Sequence, residues 1–414
     1  MRTAAGERPL RIALLAYRGN PHSGGQGVYV RHLSRALARL GHQVEVLAGQ
    51  PYPELDPCVP LCRLPSLDLY RSEDPFHRQR ELRDAVDVLE FSIMCVAGYP
   101  EPLTFSLRAW RELKRRPQDF DVVHDNQCLG YGLLALRRRL PVLATVHHPI
   151  SIDLRLELTQ AGWQRRLGLR RWYAFTRMQR RVARRLPRLI TVSAAARDEV
   201  AREMRVSPNR VAVVPNGVDA SSFRPLPQLA RVPGRLIATL SADVPLKGMV
   251  PLLEAVACVR RQRPAELIVV GKPRDRGPIP RLVSRLGLER AVRFANGIDE
   301  SRLVELYAQA EVAVVPSLYE GFSLPAVEAM ACAVPVVATT AGALPEVVGR
   351  DGDAGLLVPP GDPAALATAI ERALADGGLR RRMGERGRAR VLERFTWERA
   401  AERTVDQYHE LLAC

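Results

Sequence analysis

Short continuous runs of apolar and β-branched residues alternate with segments of helical periodicity along nearly the whole chain, and that alternation leaves few folds open. In the first half "RIALLAY", "QVEVLAG", "DVVHDN", "PVLATVHH" and "RLITVS" read as strands buried on both faces. Between them lie patterns such as "VYVRHLSRALARLGH", whose apolar residues recur at three and four. The second half restarts the cycle with "RLIATLS", "ELIVVGK", "AVRFANG", "EVAVVPS" and "PVVATT". Apolar strands separated by helices imply parallel sheets covered on both sides. The rhythm breaks at 213–234, "VVPNGVDASSFRPLPQLARVPG", where Asn-Gly and prolines interrupt it. At 414 residues the chain suits two domains of about 200 residues each. The expected fold is α/β: two doubly wound Rossmann-like domains, 1–220 and 221–392, facing each other across a cleft, followed by a helical tail at 393–414.

Ligands of doubly wound sheets bind beyond the carboxyl ends of the strands, so motifs at those ends carry the chemistry. After the first strand comes "NPHSGGQGVYVRHL" (20–33), where Gly24, Gly25 and Gly27 allow tight turns and close approach of a ligand. It lacks the spacing of a dinucleotide fingerprint; a plain strand–helix turn is the other reading. "ATVHHP" (144–149) ends a strand with His147 and His148, imidazoles suited to hydrogen-bond a hydroxyl or to bond local backbone. The neighbouring "VHDNQ" ends with Asp125 and Asn126. "SADVPLKG" (241–248) puts Lys247 at a helix start, where an anion is favoured. "EGFSLPAVE" (320–328) sets two carboxylates eight apart around a bend at Gly321. Ser323 can N-cap the helix and Pro325 suits its first turn. The backbone at Gly321, Phe322, Ser323 and Leu324 then favours a phosphate, while Glu320 and Glu328 accept hydroxyls. Phosphate between hydroxyls describes a sugar nucleotide.

These motifs together resemble the retaining glycosyltransferases of the GT-B fold, specifically the family 4 group. The resemblance covers nearly all of the chain and rests on "SGGQGVYVRHLSRALARLGHQVEV", "ATVHH", "TVSAAARDEV", "VVPNGVD", "LKG", "PSLYEGFSLPAVEAMACAVPVVAT" and "GALPEVV". It implies a hexosyltransferase that uses a nucleoside-diphosphate sugar donor, with no cofactor and no metal. Glu328 would hold the ribose hydroxyls and Glu320 would lie beside the transferred sugar. Lys247 and the intervening backbone would bind diphosphate, and Gly25 would approach it from the first domain. His147 matches the family's cleft histidine, and Glu346 of "GALPEVV" belongs to the donor-side wall. Asp125, Asn126 and His148 are acceptor-side candidates; the acceptor would be a sugar, a lipid-linked glycan or a small molecule. In this fold the last helix commonly crosses back to the first domain. Ser241 and Ala242 stand where the family has a second diphosphate-binding arginine, and Ser323 and Ala333 where it commonly has glycine.

Two carboxylates would also serve a glycoside hydrolase, but hydrolysis needs no phosphate cradle. A sugar-nucleotide epimerase or a phosphorylase of the same fold is a closer alternative. The net charge of +16 suggests nucleic acid, yet only three of the 61 basic residues are lysines. Such an arginine skew reflects genome composition more than function, so no nucleic-acid partner is expected. The segment 163–188 holds ten arginines and no acid, with Trp172, Phe175, Met178, Val182 and Leu186 as one apolar stripe. It reads either as a helix packed on its own domain or as one lying on an anionic membrane. Seven scattered cysteines and no leader-like or bilayer-length apolar run point to free thiols and the cytoplasm, with contact at the inner face of the cell membrane as the alternative.

Overall fold

The structure is a computed structural model, and it describes residues 8–19, 26–69, 71, 76, 80–349 and 353–413. The chain forms two compact units. The first comprises Met1–Val192, Ala196–Val214 and Ala400–Cys414; the second comprises Ser193–Ala195 and Pro215–Arg399.

The first unit holds β1 (Arg11–Ala16), β2 (Gln43–Ala48), β3 (Leu61–Arg63), β4 (Val122–Asn126), β5 (Val142–Thr145), β6 (Arg188–Thr191) and β7 (Val211–Val213). They make one sheet in the order 3-2-1-4-5-6-7, parallel throughout. The second unit holds β8 (Arg235–Thr239), β9 (Glu266–Val270), β10 (Val292–Ala295), β11 (Val312–Val315), β12 (Val336–Thr339) and β13 (Gly355–Val358). Their order is 10-9-8-11-12-13, again parallel. Both sheets are therefore doubly wound, as expected, and in each the chain reverses direction of travel once. That switch lies between β1 and β4 in the first unit and between β8 and β11 in the second. At a switch the loops following adjacent strands diverge to opposite faces and leave a crevice, the place where such sheets bind ligands.

All ten strands read from apolar runs are present. The three that were not foreseen, β3, β7 and β13, are edge strands of three or four residues. An edge strand is buried on fewer sides, so it needs no continuous apolar run to form. In the centre the logic reverses: Ile12 to Ala16 of β1 are wholly buried, and Leu15 packs with Val123 and Ala144 in one core. In the second unit Leu236 and Ala238 of β8 meet Leu252 and Val256 of the helix Met249–Gln262.

The segment 163–188 departs from the expected single stripe. It forms two helices, Trp163–Trp172 and Phe175–Ala183, separated at Tyr173 and Ala174. Met178, Val182 and Leu186 are core residues of the first unit. The preceding helix buries none of its residues, and Trp163 is 80% exposed.

Candidate functional site

The switch crevice of the second unit is lined by the loops that follow β8, β11 and β12. After β8 the chain makes a short turn at Pro245–Lys247 and enters the helix Met249–Gln262 through Gly248. Gly248 has φ +72°, and a Cβ there would stand 1.9 Å from the Pro316 carbonyl oxygen. Only glycine lets the lysine loop lie against the end of β11. The Leu318 N–H donates to the Leu246 carbonyl at 2.8 Å, which joins the two loops directly. Their contact brings Lys247 Nζ within 3.0 Å of Glu320 Oε2 and 3.3 Å of Oε1. Ser317 Oγ donates to the same carboxylate at 3.0 Å, and Thr339 Oγ1 of β12 donates to the Ser317 carbonyl at 2.5 Å. The loop after β12 closes in through Gly342, where a Cβ would lie 2.1 Å from the Glu320 carbonyl oxygen. Two residues expected to touch different parts of a ligand thus form one ion pair.

Beyond Glu320 the chain turns into the helix Leu324–Ala331. Ser323 is its N-cap, with φ +81° and its Oγ accepting from the Ala326 N–H at 3.4 Å. The N–H groups of Phe322, Ser323 and Leu324 donate to nothing among the described residues, as an anion-binding helix start requires. The Phe322 ring is buried edge-to-face on Phe395 at 5.8 Å, so only its main chain is available to a ligand. Glu328 lies in the first turns of this helix and accepts from Tyr307 OH at 3.1 Å; that hydroxyl also meets Thr239 Oγ1 at 3.0 Å. Burial raises the Glu328 carboxyl to about 7, opposed by the Tyr307 hydrogen bond and reinforced by the charge of Glu300. Glu328 keeps an accessible edge, yet its carboxylate is deep enough for desolvation to prevail. Tyr307, almost wholly buried on the helix Glu300–Gln309, was not foreseen, because its role depends on which strand ends adjoin.

Glu346, expected in the donor-side wall, is half-buried. Its two carboxylate oxygens accept the N–H groups of Ala194 and Ala195, both at 2.8 Å, residues that belong to this same unit. It caps that segment. Ser193 Oγ likewise donates to the Gly321 carbonyl at 2.8 Å.

In the first unit, His147 and His148 follow β5. His147 Nε2 donates to Asn126 Oδ1 at 2.7 Å, and its ring meets Tyr29 edge-on at 4.5 Å. Gln127 Oε1 accepts the His147 N–H at 2.7 Å, and Gln127 Nε2 donates to the His148 carbonyl at 3.0 Å. Burial lowers the His147 ring to about 4, so it is neutral near pH 7, and with Nε2 protonated its Nδ1 is an acceptor. His148 Nε2 bonds Asp153 Oδ1 at 2.9 Å. Asn126 is buried behind His147 and orients it instead of meeting a ligand. Asp125 is also corrected: it is wholly buried and accepts the Leu129 N–H at 2.9 Å. Successive residues of a strand face opposite sides, so Asp125 and Asn126 cannot serve one site. Desolvation holds the Asp125 carboxyl up at about 7. Gly24 and Gly25 lie outside the described residues; Gly27 is buried in the helix Gln26–Arg39. Among the described residues no group of three His, Cys, Asp or Glu gathers as a metal site, and no helix is long and apolar enough to cross a membrane.

Residues 23–222 match the family described as Glycosyltransferase Family 4, and residues 228–390 match Glycosyl transferases group 1. The chain is 52% identical, over 98% of its length and 99% of the relative's, to an MMP alpha-(1->4)-mannosyltransferase of Mycolicibacterium hassiacum. It is 32% identical to a D-inositol 3-phosphate glycosyltransferase of Streptomyces bingchenggensis, covering 98% of this chain and 90% of that one. Among solved structures it resembles sucrose-phosphate synthase from Thermosynechococcus elongatus, with TM-score 0.72 and 26% identity over 98% of this chain and 99% of that one.

Proposed function

The chain belongs to the GT-B glycosyltransferases of family 4, and from that premise we propose that it is an α-mannosyltransferase. It moves mannose from a nucleoside diphosphate to the 4-hydroxyl of a glycan acceptor with retention at the anomeric carbon. The observation that carries this reading is the 52% identity, end to end, with a relative named for α-(1→4) mannosyl transfer. The switch crevice supports it with the chemistry such a donor needs. The unengaged N–H groups at 322–324 and the Lys247 ammonium bind the diphosphate. Glu328 accepts from the ribose hydroxyls, and Glu320 accepts from the hydroxyls of the transferred sugar. Glu320 pairs with Lys247. A diphosphate, carrying more negative charge than one carboxylate, draws the ammonium away and leaves Glu320 for the sugar.

Bond cleavage to an oxocarbenium-like state places growing charge on the leaving diphosphate, which helps to deprotonate the attacking hydroxyl from the same face. Stabilising that charge is the main electrostatic task, and Lys247 and the helix start perform it without a metal cofactor. In the first unit His147 offers Nδ1 as an acceptor to a substrate hydroxyl. The full chain, assayed with GDP-, UDP- and ADP-mannose and a mannobioside in excess EDTA, should release nucleoside diphosphate and extend the acceptor with one of them. Lys247→Ala should lower kcat/KM by about 100-fold or more. Release of free mannose with no acceptor requirement would mark a hydrolase. Interconversion of the donor sugar alone would mark an epimerase.

The helix Trp163–Trp172, which buries none of its residues and carries Arg165, Arg166, Arg170 and Arg171 beside the exposed Trp163 and Leu167, supports contact with anionic lipid at the cytoplasmic face of the membrane. Sedimentation with vesicles containing anionic lipid, against neutral vesicles, tests it; recovery in the supernatant with both would dismiss the contact.

A further inference from the structure

The first unit has a polar cavity, at the carboxyl ends of β1, β2 and β3, that the roles above leave unused. Tyr17, Gly49 and Ser66 follow those strands, and the helices Ala85–Cys95 and Glu101–Leu113 close the cavity with Glu90, Glu101 and Arg108. At Gly49 a Cβ would lie 2.6 Å from the Tyr17 carbonyl oxygen, so the strand ends are pressed together. The enclosed room is that of one water-sized group.

Glu90 is wholly buried and Arg108 is 9% exposed. Arg108 Nη2 donates to Glu90 Oε2 and to Asp87 Oδ1, both at 2.5 Å. Tyr99 OH donates to Glu101 Oε2 at 2.6 Å, and Arg18 pairs with Glu101 at 2.8 Å. After these bonds Glu90 Oε1 and Arg108 Nη1 have no hydrogen-bond partner among the described residues, and both residues line the cavity. The Leu67 N–H lies near the Glu90 carboxylate but outside hydrogen-bond geometry. Buried polar atoms are rarely left unpaired, so an orphan acceptor and an orphan donor on two residues that line one cavity ask for a group that is both. A hydroxyl is such a group: it donates to Glu90 Oε1 and accepts from Arg108 Nη1. An ether oxygen satisfies only Arg108. An anion meets the two carboxylates around Arg108, and a cation meets Arg108 itself.

We propose that Glu90 and Arg108 form a hydroxyl-recognition subsite for the acceptor, holding one hydroxyl arm of the glycan other than the one that attacks. Donor chemistry is satisfied in the second unit, whereas this cavity opens at the strand ends of the first, where a doubly wound sheet presents ligands. The proposal rests on the transferase reading. Its test uses the full chain, saturating mannose donor, and mannobiosides in which each non-attacking hydroxyl is replaced in turn by O-methyl. One position should lose about 10- to 100-fold in kcat/KM, because the methyl leaves Glu90 unpaired. Glu90→Gln should raise the acceptor KM about tenfold, move the donor KM less than twofold, and flatten the discrimination at that one position. If Glu90→Gln fails to fold, the analogue series on the natural chain decides alone. Transfer to every analogue at similar rates, or an unchanged acceptor KM in Glu90→Gln, would mean that the pair binds only an internal water and would overturn the subsite. Absence of transfer to any acceptor by the natural chain would instead sink the transferase reading.

Discussion

Replacing Glu328 by glutamine should make the unliganded protein more stable and much less able to bind its donor. Burial raises this carboxyl from 4.5 to about 7 in the folded state. A raised acid binds more protons folded than unfolded, so stability falls as pH rises between those two values. At ~1.4 kcal/mol per pKa unit, the ionised Glu328 costs about 3 kcal/mol above pH 8, and essentially nothing below pH 4.5. Glutamine has the same shape, can still accept from Tyr307 OH, and carries no charge to desolvate. The expected gain in the unfolding transition of the second unit is therefore up to about 3 kcal/mol at pH 8, a rise of roughly 6–12 °C for a unit of this size. Thermal and urea denaturation at pH 8 and pH 5 read it directly, and calorimetric titration with the nucleoside diphosphate reads the loss of binding. A gain that is the same at both pH values, or absent at pH 8, would refute desolvation of Glu328 as the cause.

The same titration shapes the rate: kcat/KM should fall about tenfold between pH 8 and pH 6 as Glu328 takes up its proton. His147, lowered to about 4, should add no second limb in that range; a histidine-like limb that His147→Ala removes would contradict its neutral state. Ala333 sits at φ +53° just past the helix Leu324–Ala331, with its N–H on the Met330 carbonyl and the Val334 N–H on the Ala329 carbonyl, the position where glycine usually ends a helix. Ala333→Gly should stabilise the protein by about 0.5–1 kcal/mol in urea denaturation; a destabilised variant would speak against strain at this residue. Gly248→Ala should cost more than about 3 kcal/mol and abolish activity, since the new methyl would enter the Pro316 carbonyl and push Lys247 from Glu320. A soluble, active Gly248→Ala protein would show that the two loops are not locked together.

Much of the candidate site was legible because its determinants are local. Ser323 sits where a helix needs a cap and Pro325 where a missing N–H is harmless, and both are read within a few residues. Ser323 and Ala333, singled out as departures from the family's glycines, both have positive φ, so the two substitutions share one explanation: glycine is the residue that the backbone there favours. Other readings failed where a local rule was silent. Strand alternation already sets Asp125 and Asn126 on opposite faces, but only the tertiary structure decides that one bonds Leu129 and the other His147. The arginine-rich segment shows one apolar stripe in sequence, yet core packing takes only its second half.

Two doubly wound parallel sheets, and the loops that would carry chemistry, were legible along the chain because strand burial, helix period and glycine or proline punctuation act over about ten residues. Tertiary structure alone decided that Lys247 would meet Glu320, that Tyr307 would hold Glu328, and that Asn126 would orient His147. Those partners stand 73, 21 and 21 residues apart. The first and third meetings depend on strand order, since β8 beside β11 and β4 beside β5 bring the strand-end loops together; the second joins the two helices that flank β11, and no periodicity within a single element encodes either adjacency.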